Sequence, residues 1–156
     1  MVLGAGGSAR AIIYGLIERG IGKINVVNRT PERAQALQAL FGPAVQPAHW
    51  AALPHLFSRA GLVVNTTSLG MQGQPPLGVD LSAMKAGAIV DDIVYVPLET
   101  ALLKQARQRG LRTIDGLGML LHQAVPGFEH WFGRRPEVTP ALRAIIEADI
   151  LGHRPA

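Results

Sequence analysis

Short apolar runs alternate with longer amphipathic segments along most of the chain. Residues 2–3, 24–27, 62–65, 88–91 and 112–115 form brief, mostly apolar stretches. Such runs suit strands buried on both faces of a parallel sheet, where a polar alternation is not required. Between them, 9–19, 31–40 and 98–109 read as helices. The second starts with Pro31 at the first helical position behind Thr30 as N-cap, and Gly110 closes the third. Strands and helices alternating at this spacing predict βαβ units, whose right-handed crossovers place helices on both faces of a sheet. The expected fold class is therefore α/β, a Rossmann-like doubly wound and mostly parallel sheet. From Leu117 onward the alternation ends. Apolar residues at 117, 120, 121, 124, 128, 131 and 132 follow a helical period, and Pro126-Gly127 is expected to bend that helix. A last helix, 140–151, starts behind Thr139. Neither an internal repeat nor an interior linker divides the chain, so 1–156 is read as a single domain with extra C-terminal helices.

Composition narrows the function. A chain of 156 residues that is 48% hydrophobic can build a sizeable core and is not intrinsically disordered. Its apolar runs fall far short of the ~20 residues that a membrane-spanning helix needs. The absence of cysteine excludes a disulfide framework, a thiolate metal site and a thiol nucleophile, and it permits a reducing compartment. No basic leader followed by an apolar stretch opens the sequence, so a cytoplasmic location is expected. The net charge of +4 raises the question of nucleic acid, but the cations are scattered and aromatic residues amount to only 5%. A nucleic-acid face is not expected. The five histidines show no metal-ligand spacing, so no metal is expected either.

Gly4-Ala5-Gly6-Gly7-Ser8-Ala9 fits the G-x-G-x-x-G/A pattern between a strand and a helix. In that setting Gly4 permits a tight turn, Gly6 lets the backbone approach a pyrophosphate, and Ala9 lets helix and strand pack closely. The helix N-terminus adds unpaired N–H groups and a partial positive charge. The plainer alternative is an ordinary glycine turn. The second strand ends in Asn28-Arg29-Thr30, about 20 residues on, where such folds meet the adenosine ribose. A carboxylate there would accept bonds from the ribose hydroxyls and repel a 2′-phosphate. Arg29 can instead pair with that phosphate through its guanidinium fork, and Arg33 and Thr30 can add a cation and a hydroxyl. NADP is the expected cofactor; the alternative is that both arginines are merely solvated.

Further runs complete a pattern. Asn65-Thr66-Thr67-Ser68-Leu69-Gly70-Met71, Asp92-Ile93-Val94-Tyr95-Val96-Pro97 and Asp115-Gly116-Leu117-Gly118-Met119-Leu120-Leu121-His122-Gln123-Ala124 follow the glycine turn and Asn28-Arg29-Thr30-Pro31-Glu32-Arg33-Ala34 in order. Together they resemble the coenzyme domain of shikimate dehydrogenase over nearly the whole chain. The resemblance implies that Gly4, Ala5, Gly6, Gly7 and Ser8 hold the pyrophosphate. It implies that Asn28, Arg29, Thr30 and Arg33 hold the ribose with its 2′-phosphate. Thr66, Thr67 and Ser68 would stand beside the nicotinamide half, and Ile93 with Gly116 would line the nicotinamide. Tyr95 and Gln123 would touch shikimate or 3-dehydroshikimate, a role that suits a phenol and an amide. The family's catalytic Lys and Asp lie in a preceding substrate domain. Lys23, Lys85 and Lys104 stand in no matching motif, so no catalytic residue is assigned here.

The resemblance thus implies the coenzyme domain of an NADPH-dependent enzyme reducing 3-dehydroshikimate to shikimate, as a fragment or a partial gene inactive alone. Rival readings are a stand-alone dinucleotide-binding or sensing module, the coenzyme domain of another reductase such as a glutamyl-tRNA reductase, and a structural oligomerisation unit. His122 is read as a structural or surface residue and Asp91-Asp92 as strand-end turn residues. The face bearing Leu142, Ile145, Ile146 and Ile150 is expected to be partly uncovered and to drive self-association.

Overall fold

The computed structural model describes residues 1–152; residues 153–156 of the expected domain lie outside the described residues. Six parallel strands form one sheet: β1 (Val2–Leu3), β2 (Ile24–Val27), β3 (Val45–Ala48), β4 (Leu62–Asn65), β5 (Ile89–Asp92) and β6 (Arg112–Ile114). Their spatial order is β3-β2-β1-β4-β5-β6, so the chain reverses its direction of travel across the sheet between β1 and β4. The helices are α1 (Gly7–Glu18), α2 (Pro31–Phe41), α3 (Leu53–Phe57), α4 (Ala101–Gln108), α5 (Gly116–Phe132) and α6 (Pro140–Ile150). This is the α/β doubly wound architecture that the alternation of runs predicts.

The period-2 geometry of strands explains the two cores. Val2, Ile24 and Val26 face α1 and α2, where Ala9, Ile13, Ala34 and Leu37 close the layer. Leu3, Val27, Val63 and Val90 face the other way, onto Phe57 of α3, Leu81, and Leu102, Leu103 and Ala106 of α4. Burying an aliphatic side chain is worth about 1.5–3 kcal/mol. Apolar residues at every position of β1 are therefore used twice over, once on each face.

Two elements escape the sequence pattern. Val45-Gln46-Pro47-Ala48 is an edge strand pairing with β2 from Ile24↔Val45 to Val27↔Ala48. A proline lacks a ladder donor and is tolerated at an edge, which is why this strand carries no strand-like signature. The five-residue α3 buries Leu53 and Phe57, one turn apart, and is too short to show a period. Other limits shift modestly. Expected at 98–109, α4 starts only at Ala101, because the Thr100 hydroxyl accepts from the Leu103 N–H at 3.3 Å and caps it. Thr30 occupies the N-cap of α2, but its hydroxyl makes no capping bond. Asp91 and Asp92 lie within β5 instead of forming a turn. Pro126 lies inside α5, a single 17-residue helix.

Candidate functional site

In an all-parallel sheet every strand delivers its next residue to the same edge. The register aligns Leu3 with Val27 and with Asn65, and Asn65 with Asp92. Asn28, Gly4, Thr66 and Ile93 therefore follow one another along the carboxyl edge, and β6 delivers Asp115-Gly116 to its end. At the usual strand spacing this row spans roughly 20 Å. Its centre is the reversal between β1 and β4, the place where open α/β sheets leave a crevice outside the carboxyl ends of their strands.

The glycine turn is shaped for close approach. Gly4 has φ +101°, a conformation that side-chain-bearing residues rarely adopt, and a Cβ there would meet Thr66 Oγ1 at 2.7 Å. Its N–H donates to the Val27 carbonyl at 2.8 Å, tying the turn to the end of β2. Gly6 and Gly7 face open space, with nothing within 4 Å of an added Cβ. They begin α1, whose first N–H groups have no intrahelical acceptor and remain available to a ligand. Ala5 is half-buried and Ser8 is exposed, while Ala9 is fully buried against β1.

At the end of β2 the Asn28 amide donates to the Thr30 carbonyl at 2.8 Å and folds the chain into α2. Arg29 and Arg33 are exposed, and neither belongs to an ion pair among the described residues. Arg107, Arg135 and Arg143, by contrast, are all paired with carboxylates. A cleft of about 140 Å³ beside these arginines is lined by Pro31, Ala34, Gln35, Pro47, Ala48 and His49. Half of this cleft comes from β3 and the residue after it, so only the fold places it at the site.

Beyond β4 the hydroxyls are structural. Thr66 Oγ1 donates to the Leu3 carbonyl at 2.7 Å, and Thr67 Oγ1 donates to Asn65 Oδ1 at 2.7 Å. Only Ser68 of this trio is exposed with its hydroxyl disengaged among the described residues. Ile93 and Tyr95 are half-buried and Gln123 is exposed. Neither the Tyr95 hydroxyl nor the Gln123 amide makes a hydrogen bond among the described residues. Gly116 is the tightest point: a Cβ there would lie 2.2 Å from the Ile93 carbonyl oxygen. Asp115 caps α5 by accepting from the Leu117 N–H at 3.1 Å and receives the Arg143 guanidinium at 2.6 Å, which anchors α6 beside the site.

One residue that the sequence presents only as a strand-end turn residue is central here. Asp92 is fully buried, and it accepts bonds from the Asn65 amide, the Val94 N–H and the Thr100 hydroxyl at 2.9, 3.1 and 2.7 Å. Burial pushes its carboxyl up from the ordinary range, and these three donors oppose that shift. The signal in the sequence is Asp92 standing eight residues before a capping Thr100. A larger cavity, of about 500 Å³, opens at the opposite, amino edge of the sheet between Met1, Lys23, His55 and Arg59. It is remote from all the residues above. Among the described residues, no helix is long and apolar enough to cross a membrane.

Comparison with known proteins gives this geometry a context. A family model described as Shikimate / quinate 5-dehydrogenase matches residues 1–71, and one described as Shikimate 5′-dehydrogenase C-terminal domain matches residues 116–146. A shikimate dehydrogenase (NADP(+)) of Nitrobacter hamburgensis is 64% identical over 156 residues, which is 100% of this chain and 55% of the relative. Among solved structures, the quinate dehydrogenase from Corynebacterium glutamicum in complex with NAD superimposes with a TM-score of 0.82 at 35% identity, covering 92% of this chain and 52% of that one. The shikimate 5-dehydrogenase from Thermus thermophilus in complex with NADP(H) and shikimate gives 0.78 at 32% identity, covering 97% and 54%. The chain spans about half the length of the curated relatives it matches.

Proposed function

The chain belongs to the shikimate dehydrogenase family, and from that premise we propose that it is the family's NADP-binding domain, 1–156, serving the reduction of 3-dehydroshikimate to shikimate. The observation that carries this reading is the row of strand ends. A glycine turn with open backbone, two unpaired arginines and a half-buried Ile93-Tyr95 loop stand on one edge of one sheet.

The residues fit the cofactor. The start of α1 and the bare backbone of Gly6 and Gly7 suit a pyrophosphate, with the Ser8 hydroxyl alongside. Arg29 and Arg33 suit a 2′-phosphate, because a guanidinium fork holds phosphate oxygens by charge-assisted bonds. The apolar cleft between Pro31 and Pro47 suits an edge of the adenine. Thr66 and Thr67, whose hydroxyls are engaged, would meet the nicotinamide half through backbone and methyl groups, and Ser68 through its hydroxyl. Ile93 would give the ring an apolar seat, with Gly116 packed directly against the Ile93 backbone beside it. NADPH, when bound, supplies the hydride. Orientation is what this chain contributes, with the Tyr95 phenol and the Gln123 amide free to hydrogen-bond a polyhydroxylated acid. No side chain of this domain is assigned to proton transfer. The reading includes a cytoplasmic setting and no nucleic-acid or membrane partner.

Titration with both nucleotides tests it. NADPH should bind well ahead of NADH, and Arg29→Ala should weaken NADPH by roughly tenfold to a hundredfold, the worth of a charge-assisted bond, while leaving NADH nearly unchanged. Equal weakening of the two would remove Arg29 from phosphate recognition. The same preparation should show no oxidation of NADPH on addition of 3-dehydroshikimate; robust turnover would mean that a proton donor in this domain has been missed.

A further inference from the structure

Two loops carry the residues read above as the nicotinamide side of the site, one after β4 and one after β5. Both are fastened to a single chain of side-chain hydrogen bonds running beneath them. The Thr67 hydroxyl and N–H both donate to Asn65 Oδ1, at 2.7 and 3.0 Å, and the Leu69 N–H donates to Thr67 Oγ1 at 3.1 Å. The Asn65 amide donates to Asp92 Oδ1 at 2.9 Å, and the Val94 N–H donates to the same oxygen at 3.1 Å. The other oxygen, Oδ2, receives the Thr100 hydroxyl at 2.7 Å, and Thr100 in turn caps α4. Asn65, Asp92 and Thr100 are 0%, 0% and 1% exposed. No buried side-chain polar atom among the described residues lacks a partner.

We infer that Asp92 is a positioning residue: from beneath the carboxyl edge, its carboxylate fixes the 66–69 and 93–95 loops in the arrangement that receives the nicotinamide half of the cofactor. This rests on the cofactor reading given above. The chemistry of the contacts supports a carboxylate specifically. All three partners are donors, and a carboxylate is an acceptor-only group with room for each of them. An asparagine could take over the two N–H groups on Oδ1, but it would turn an NH2 toward Thr100 Oγ1, which already accepts from Leu103. Satisfied buried networks of this kind select one backbone arrangement out of several of similar compactness. The adenosine half of the site depends on none of these bonds. Gly4 to Ser8, Arg29 and Arg33 are held by β1, β2 and the two helices that follow them.

That separation supplies the test. Adenosine 2′,5′-bisphosphate probes the adenosine half alone, and NADP+ probes both halves. Asp92→Asn and Thr100→Val should each weaken NADP+ by about tenfold, the equivalent of one lost hydrogen bond to a charged group, while leaving the bisphosphate within about twofold of wild type. Thr100→Ser, which keeps both the donor and the cap, should restore NADP+ binding. Amide exchange read on the unliganded proteins should be about tenfold faster for residues 66–69 and 93–95 in Asp92→Asn, with the amides of β1 unchanged. Parallel weakening of both nucleotides would overturn the inference in favour of a general loss of fold. So would unchanged NADP+ affinity. A wild-type chain that binds neither nucleotide would overturn the cofactor reading and this inference together, and that failure is visible before any substitution is made.

Discussion

Asp91 and Asp92 are neighbours in sequence and meet opposite environments, because successive residues of a strand point to opposite faces. Asp92 finds three donors. Asp91 finds none among the described residues: it is half-buried, and its carboxyl is pushed up to about 6 by burial first, and then by the charges of Asp92 and Asp115. Arg143 offers little relief, since it is committed to Asp115 and Glu147 at 2.6 and 2.8 Å. The folded chain therefore holds the Asp91 proton up to about pH 6, whereas the unfolded chain releases it near 3.8. Between these values the native state binds more protons, so stability falls as pH rises through the window and the loss is complete above it. Asp91→Asn removes the charge without changing the shape. It should raise the melting temperature above pH 6 by a few degrees, for a gain of about 1–3 kcal/mol, and the advantage should vanish below pH 4. Melting curves of both proteins across pH 3.5 to 8 check this. An advantage that is constant with pH would mean that Asp91 stays charged throughout.

Elements come together where one residue has no room for a side chain. Gly116 starts α5 against the backbone of the 93–94 loop, with the Ile93 and Val94 carbonyl oxygens 2.2 and 2.7 Å from where its Cβ would lie. Backbone cannot yield as the tip of a flexible side chain can. Gly116→Ala should thus cost about 1–3 kcal/mol or more through overpacking, and lower the melting temperature by roughly 3–10 °C. A full-strength melt in the alanine variant would show that α5 can shift away without penalty. Packing of this sort explains what the sequence can and cannot reveal. β1, β2, β4 and β5 are legible because two-sided burial demands apolar runs, and α1 and α2 are legible from the glycine turn and Pro31. The glycine turn itself, with Arg29 at the end of β2, needs only spacing. β3 is not legible, because its place rests on pairing with β2 and not on its own residues, and the cleft beside Arg29 is hidden with it. Asp92 reads as a turn residue since Asn65 is 27 residues away and meets it only through the β4-β5 register, while Thr100 reaches it from the start of α4, 8 residues on. For the same reason the sequence, which sets Thr66 and Thr67 beside the nicotinamide half by resemblance, does not reveal that their hydroxyls are already engaged by Leu3 and Asn65.

On the scale of the whole molecule, the surface is unevenly finished. The sheet is covered on both faces, but α5 and α6 each carry large apolar side chains that the rest of the described chain leaves open. Trp131 is 76% exposed, Phe132 64% and Ile145 58%. The Phe128 and Phe132 rings lie 4.6 Å apart, tilted by 45°, and no residue of α6 is fully buried. The Arg143 bridge to Asp115 ties α6 to the start of α5. An apolar surface of several neighbouring large side chains tends to acquire a cover, since each aromatic ring buried there gains more than it gives up in side-chain freedom. The curated relatives that this chain matches are nearly twice as long. For this chain alone the nearest source of a cover is a second copy, so self-association is the expected behaviour. Sedimentation across a concentration series should show it, and Trp131→Lys combined with Ile145→Lys should return the chain to a monomer. The glycine turn, Arg29 and Arg33 lie on β1, β2 and their following helices, so the double variant should keep its nucleotide affinity. A wild-type chain that stays strictly monomeric at high concentration would mean that α5 and α6 cover one another well enough in solution. A double variant that loses nucleotide binding would mean instead that the open face and the site are one surface.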